Sequence, residues 1–194
     1  GIRLHLELMA QSGSPQATPL INRIDQLMHT VEQLLMLARA GQAMASGHYD
    51  TVNWTETIIA PLSLEHEARE HTVIWPAHSP LTVQGDAVLL RLMLRNLLEN
   101  AARYSPAGTT IEVALTATEN GTQVSVTDQG PGIDEAHRQS ITEPFRRLDQ
   151  RYGGSGLGLS IVQRIVQLHH GYLTLENGAE GGLIASCWLP AKIG

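Results

Sequence analysis

Three stretches of this sequence combine side chains and glycines whose types and spacing suit a charged ligand. In the first, DAVLLRLMLRNLLENAAR, Asn96 and Asn100 are four residues apart and Arg103 follows three residues later. These spacings place the three side chains on one face of a helix. Amide oxygens can ligate Mg²⁺ and a guanidinium can bind a phosphate, so this face fits a polar ligand. A polar network satisfied within the fold is the alternative explanation.

The second stretch, DQGPGI at 128–133, follows an alternating strand pattern. Asp128 would stand at the end of that strand, where its carboxylate can accept a hydrogen bond from a base amino group. Gly130 and Gly132 would let the backbone approach a ligand closely. An ordinary turn would explain the same residues, so this stretch alone does not indicate a site.

The third stretch, GGSGLGLSIV at 153–162, runs from glycines into an amphipathic helix. A glycine-rich helix start presents free N–H groups and a positive dipole end to an anion. It lacks the Gly-Lys-Ser/Thr of a Walker loop. It is not a dinucleotide-binding fingerprint either, because the charged segment PFRRLDQRY precedes it where that motif has a strand. That segment is expected to be a mobile lid. Arg146, Arg147 and Arg151 could reach phosphates from it, with Phe145 as an apolar anchor.

A mixed pattern of helices and strands must position these stretches. The expected helices span residues 53–70, 86–103 and 157–169, the second of them capped by Asp86. The expected strands span residues 72–75, 81–83, 110–116, 122–127, 172–176 and 183–189. These elements predict the α+β class, as a two-layer sandwich with a mixed sheet on one face and helices on the other.

An antiparallel helical hairpin is expected before this sandwich, in residues 1–41. Its second helix is predicted to begin at Thr18 and Pro19 and to end at Gly41. Apolar residues there follow the coiled-coil spacing of four and three, namely Leu20, Ile24, Leu27, Val31, Leu34 and Ala38. Burial against a second copy, as a four-helix bundle dimer, is favoured over packing against the chain's own domain. A linker at 42–50 and a catalytic domain at 51–194 would follow.

Composition excludes several classes of function. The net charge of −6 argues against nucleic-acid binding, because no basic stripe offers itself to a phosphate backbone. Cys187 is the single cysteine, so a disulfide framework within the chain is excluded. Apolar runs fall short of the roughly 20 residues of a membrane helix, so a soluble chain is expected.

Taken together, NLLENAARYSP, DQGPGI, PFRRLD and GGSGLGL resemble the asparagine, first-glycine, phenylalanine and second-glycine boxes of sensor histidine kinases. These kinases belong to the ATPase superfamily of gyrase, Hsp90 and MutL. The hairpin resembles their dimerisation and phosphotransfer domain, and RYSP, RYGG and QLHHG resemble the PmrB branch of the enterobacterial kinases. The resemblance implies the sandwich fold of that superfamily, with ATP and Mg²⁺ bound. It also implies phosphoryl transfer to a histidine and relay to a response regulator receiver domain.

The resemblance further implies a role for each matching residue. Asn100 would ligate Mg²⁺. Asn96, a catalytic candidate, stands where hydrolysing relatives carry a glutamate that activates water, and an amide cannot take that proton. Arg103 replaces the usual lysine, which keeps the charge but changes the geometry of a phosphate contact. Tyr104 would pack beside the adenine, and Asp128 would bond its amino group.

Further nucleotide-binding residues follow from the same motifs. They are Gly130, Gly132, Ile133, Arg151, Gly154, Ser155, Gly156, Leu157 and Gly158. Arg147 is the second catalytic candidate.

The acceptor motif of the family, His-Glu followed by Arg and Thr-Pro, is not matched by any of the nine histidines. The acceptor is expected about two helical turns before Gly1, so the chain should bind Mg·ATP without phosphorylating itself. His169 and His170 are expected to close a helix, where cationic side chains suit the dipole.

The expected setting is the cytoplasmic portion of a bacterial inner-membrane protein that dimerises through the hairpin. Three alternatives remain open. They are a hydrolytic ATPase of the same superfamily, a degenerate kinase acting as a dimeric binding module, and a serine kinase of the anti-sigma type.

Overall fold

The computed structural model describes residues 1–13, 15–66, 71–137, 140–143 and 156–193. The helices are α1 (Ile2–Gln11), α2 (Ala17–Ala45), a π-helical segment (Trp54–Ile59) that continues into α3 (Ala60–His66), α4 (Ala87–Tyr104) and α5 (Gly158–Leu168). The strands are β1 (Asp50–Asn53), β2 (Thr72–Ile74), β3 (Thr82–Gly85), β4 (Thr110–Thr118), β5 (Gly121–Thr127), β6 (Tyr172–Asn177) and β7 (Leu183–Pro190). Short 3₁₀ turns cover Glu135–His137 and Ser140–Thr142.

A five-stranded mixed sheet forms one layer of the catalytic region, in the order β2-β4-β5-β7-β6. The β2–β4 pair is parallel and the other three pairs are antiparallel. Strands β1 and β3 form a separate antiparallel pair. One face of the large sheet packs on helices α4 and α5. Side chains on that face are therefore buried, such as Val124 and Val126 of β5 and Cys187 of β7. The predicted α+β sandwich preceded by a helical hairpin is confirmed.

Helix α4 forms the centre of the core. Asp86 caps it as predicted, and its Oδ1 accepts a hydrogen bond from the Leu89 N–H at 2.9 Å. Half of its 18 residues are buried, which matches a sequence that is apolar nearly all round. The helix is therefore held by the core on most sides, and its polar residues lie on a fixed face.

The limits predicted for the second hairpin helix are wrong at both ends. Helix α2 begins at Ala17, with Gln16 as the N-cap, and it continues past Gly41 to Ala45. A Cβ built on Gly41 would lie 3.3 Å from Leu168 Cδ1. This glycine therefore permits close approach of α2 to α5 instead of ending the helix. The division into a hairpin, a linker and a catalytic domain stays a prediction.

The apolar stripe of the hairpin lies largely in solvent. Leu27, Val31 and Leu34 are 65%, 48% and 44% exposed, respectively. Arg3 forms an ion pair with Asp25 at 2.9 Å that joins α1 to α2. Within the described part of the chain, no helix combines the length and the apolar character needed to cross a membrane.

His169 is fully buried, so the prediction that it closes α5 as a cationic side chain is wrong. Its Nε2 accepts a hydrogen bond from the Asp86 N–H at 3.1 Å, and its Nδ1 lies 2.7 Å from the Ile165 carbonyl oxygen. One ring nitrogen accepts and the other donates, which requires the neutral imidazole. Burial lowers the pKa of His169, despite the opposing hydrogen bond to Ile165. The ring links the end of α5 to the start of α4.

Candidate functional site

The polar face of α4 lines a cleft of about 170 Å³. Asn96, Asn100 and Arg103 face it, as their spacing predicts, and Gly158 at the start of α5 forms part of its wall. Asn96 is buried, and its amide nitrogen donates a hydrogen bond to the Leu92 carbonyl at 2.9 Å. A Cβ built on Gly158 would lie 3.4 Å from Asn96 Oδ1, so the glycine leaves that oxygen open to the cleft.

Asp128 lies beyond the C-terminal end of β5 and is 5% exposed. Its Oδ1 accepts hydrogen bonds from the N–H groups of Gly130 at 2.8 Å and Leu183 at 3.0 Å. Burial raises the pKa of this carboxyl, and the two backbone N–H groups oppose that shift. Both bonds end on Oδ1, which leaves Oδ2 able to accept a donor from a ligand.

The loop after Asp128 is fixed against two neighbouring elements. A Cβ on Gly130 would lie 2.8 Å from the Tyr104 carbonyl oxygen, so only glycine lets the loop reach the end of α4. Gly132 has a φ of +73° and faces Asn177 of β6. Asn177 Oδ1 accepts from the Ile133 N–H at 2.8 Å, and its Nδ2 donates to the Ile133 carbonyl at 2.9 Å.

The cleft and the Asp128 loop lie at successive positions along α4. Asp128 does not line the cleft formed by Asn96 and Asn100. Tyr104, the last residue of α4, joins the two regions because Gly130 packs on its carbonyl. The eight residue steps from Asn96 to Tyr104 span ~12 Å of helix axis. The site is therefore elongated, with amides at one end and a buried carboxylate beyond the other.

The described part of the second glycine motif lies at the start of α5. Gly156 has a φ of +73°, and Leu157 is a buried residue at the N-cap position. The remaining predicted residues lie outside the described residues, and with them the predicted lid; they are Phe145, Arg146, Arg147, Arg151, Gly154 and Ser155.

A family model described as "Histidine kinase-, DNA gyrase B-, and HSP90-like ATPase" matches residues 85–193. Sensor protein BasS of Escherichia coli strain K12 is 50% identical over 185 residues, which cover 93% of this chain and 51% of that protein. The chain belongs to the sensor histidine kinases. It carries their ATP-binding catalytic domain. The predicted resemblance to the PmrB branch is confirmed, because BasS and PmrB are two names for one sensor protein.

Other sensor histidine kinases agree with this assignment. CpxA of Escherichia coli strain K12 is 36% identical over 71% of this chain. The solved structure of the mycobacterial sensor histidine kinase MprB superposes with a TM-score of 0.65 and 32% identity, covering 76% of this chain and all of that one. The chain spans about half the length of the BasS proteins that it matches.

Helix α2 supplies a second wall that the motifs of this kinase family did not predict. Gln26, His29, Thr30 and Gln33 line the cleft opposite the α4 residues. Gln33 is 6% exposed, and its Nε2 lies 2.8 Å from His29 Nε2. The available signal was their spacing of three and four residues, which puts them on one helical face. Only the folded hairpin shows that this face meets α4.

The sequence also missed the groups that hold the Asp128 loop. They are Asn177 and the turn at Gly182 and Leu183, which lie far away in the chain. Gly182 has a φ of +81°, and a Cβ there would collide with the Asp128 carbonyl. The glycine allows Leu183 to reach the carboxylate.

The cleft offers oxygen ligands that fit magnesium. Among the described residues there is no cluster of three histidine, cysteine or acidic side chains suited to a metal. Magnesium, however, takes only one or two protein oxygens when substrate phosphates and waters supply the rest. Asn100 can provide such an oxygen, and Asn96 and Glu99 lie in the same cleft.

Proposed function

We propose that this kinase binds Mg·ATP along α4 and transfers the γ-phosphoryl group to a histidine, for relay to the receiver domain of a response regulator. The observation that carries the proposal is the single face of Asn96, Asn100 and Arg103, which lines a cleft whose wall includes Gly158. The cleft therefore contains amide, cationic and glycine groups of the kinds that bind magnesium and a triphosphate.

The phosphate end of the nucleotide would lie in the cleft. Asn100 would supply an amide oxygen to magnesium, which neutralises phosphate charge when bound. Arg103 would pair with a phosphate, and the start of α5 at Gly156, Leu157 and Gly158 would present N–H groups to it. Arg147, Arg151, Gly154 and Ser155 complete the proposed set through their motifs.

The base end would lie at the Asp128 loop. Asp128 Oδ2 would accept a hydrogen bond from the adenine amino group, while Oδ1 stays bonded to Gly130 and Leu183. The position of Tyr104 at the end of α4 suits packing beside the base. Gly132 and Ile133, held by Asn177, would keep the loop in place.

Transfer would form a nitrogen–phosphorus bond to the acceptor imidazole and break the bond from the γ-phosphorus to its bridging oxygen, releasing ADP. Catalysis of this kind depends on positioning and on charge neutralisation. Asn96 would hold polar groups in place without acting as a base. Because its amide cannot accept a proton from water, hydrolysis should be slow relative to transfer.

The proposed assembly is a homodimer formed through the hairpin, whose apolar stripe is largely exposed. In that assembly the chain would be the cytoplasmic part of an inner-membrane sensor protein.

The test is the affinity of the protein for a non-hydrolysable ATP analogue with magnesium, measured by calorimetry. Asn100→Ala should weaken binding by about 10- to 100-fold, the range seen when metal-site partners are removed. Val88→Ala is the matched control, because Val88 is exposed on the same helix and away from the cleft. Equal affinities for Asn100→Ala and the unmodified protein would refute the assignment. In a separate assay with ATP itself, rapid steady turnover would favour a hydrolytic ATPase.

A further inference from the structure

The polar face of α2 lies across the cleft from the proposed metal ligand. We infer that His29 and Gln33 contact the γ-phosphate end of bound ATP and make the site prefer ATP over ADP. This inference rests on the proposed function, because it needs a nucleotide in the cleft. It assigns a substrate contact to a hairpin helix that lies outside the matched ATPase region at 85–193.

The burial of Gln33 is the first observation. Of the 29 residues of α2, three are buried, and two of those are Ala17 and Met44. The third is Gln33, a side chain that loses hydration when buried and needs polar partners in exchange. Its amide nitrogen carries two hydrogens, and the bond to His29 Nε2 uses one of them. The second hydrogen is available to a ligand.

The chemistry of the α2 wall is the second observation. Its four cleft residues are two glutamines, a threonine and a histidine, and none of them is acidic. Thr30 Oγ1 donates to the Gln26 carbonyl at 2.9 Å, so its hydrogen is already used. Because the Gln33 amide nitrogen can only donate, His29 Nε2 accepts, and Nδ1 of that ring carries its hydrogen. The donors that α2 can offer to an anion are therefore His29, Gln33 and the exposed amide of Gln26, and of these three only Gln33 is buried.

The position of the wall decides which part of the nucleotide it meets. The α2 residues share the cleft with Asn96 and Asn100 and do not share it with Asp128. In phosphoryl-transfer sites the metal bridges the β- and γ-phosphates. The α2 wall thus lies beside the terminal phosphates and away from the base. Removal of the γ-phosphate by transfer would remove these contacts, so the hairpin would respond to the state of the nucleotide.

The experiment compares affinities for AMPPNP and ADP, each with magnesium, by calorimetry on the whole chain. His29→Ala and Gln33→Leu should each weaken AMPPNP binding by about 3- to 10-fold, the loss of one hydrogen bond, and leave ADP binding nearly unchanged. Gln33→Glu should weaken AMPPNP binding further, because it brings a negative charge to the phosphate. Glu32→Ala is the control, since Glu32 is the exposed neighbour of Gln33 on α2 and does not line the cleft.

Circular dichroism spectra and melting curves establish that each variant is folded. Unchanged AMPPNP affinity in both variants, or equal losses for AMPPNP and ADP, would overturn the inference and leave the proposed function standing. Tighter AMPPNP binding by the variants would also overturn it, because α2 would then obstruct the site. Failure of the unmodified chain to bind either nucleotide would refute the proposed function itself.

Discussion

Replacing His169 with leucine tests whether a buried neutral histidine joins α5 to α4. Leucine cannot accept the Asp86 N–H bond, and an unpaired buried N–H costs about 1–3 kcal/mol. The Nδ1 bond is lost as well, although the Ile165 carbonyl keeps the backbone N–H of residue 169 at 3.1 Å. The expected loss in free energy of unfolding is about 2–3 kcal/mol, or about 4–12 °C in Tm for a chain of this size.

The pH dependence gives a sharper test than the stability change alone. Burial lowers the pKa of His169 below its ordinary value of 6.5, so the unfolded chain binds a proton more readily than the folded one. The neutral ring makes its full contribution to the free energy of unfolding above about pH 6.5, and this contribution declines as the pH falls below that value. At one pH unit below 6.5 the loss in free energy of unfolding is on the order of 1 kcal/mol at most.

The assay is urea unfolding followed by circular dichroism between pH 5.5 and pH 8. The unmodified protein should lose more stability on acidification than His169→Leu, so the difference between them narrows at low pH. His170→Asn serves as the control, because His170 is exposed and asparagine tolerates its φ of +58°. Parallel pH profiles for the unmodified protein and His169→Leu would show that the ring is solvated or charged, and would refute a buried neutral His169.

Three other predictions can be checked on the same protein. Gly182→Ala should weaken nucleotide binding and lower Tm, because its Cβ would meet the Asp128 backbone. Gly181→Ala is the control, since Gly181 has a similar φ of +97° but open space around it. Equal effects of the two substitutions would contradict a steric cause. Burial raises the pKa of Cys187 to about 12, so its thiol should resist a thiol-specific dye at pH 8 until urea unfolds the chain, and fast labelling of native protein would disprove this. With labelled ATP the chain should gain no acid-labile phosphate, since none of its nine histidines lies in the acceptor motif, and stable label on His5 would reverse that expectation.

Local patterns predicted the elements that hold the site. The cap at Asp86 and the strand patterns at 110–116 and 122–127 depend on neighbouring residues, and the structure contains both. The shared face of Asn96, Asn100 and Arg103 follows from helical spacing, so it was also predictable.

Contacts between distant parts of the chain account for the errors. Gly41 resembles a helix stop, but its neighbour in space is Leu168, which helical propensity cannot reveal. His169 resembles a cationic helix end, yet the fold buries it against Asp86. The α2 wall needed the docking of the hairpin, because spacing alone does not tell which element a polar face meets.

The hydrogen bond from Leu183 to Asp128 has a consequence for synthesis on the ribosome. These residues lie 55 positions apart, and β7 inserts between β5 and β6 in the sheet. A nascent chain that has emerged only as far as β5 already possesses α4 and its polar face. It still lacks the backbone donor that orients the carboxylate and the Asn177 amide that anchors the neighbouring loop. The Asp128 loop therefore reaches its folded arrangement only after β6 and β7 have left the exit tunnel.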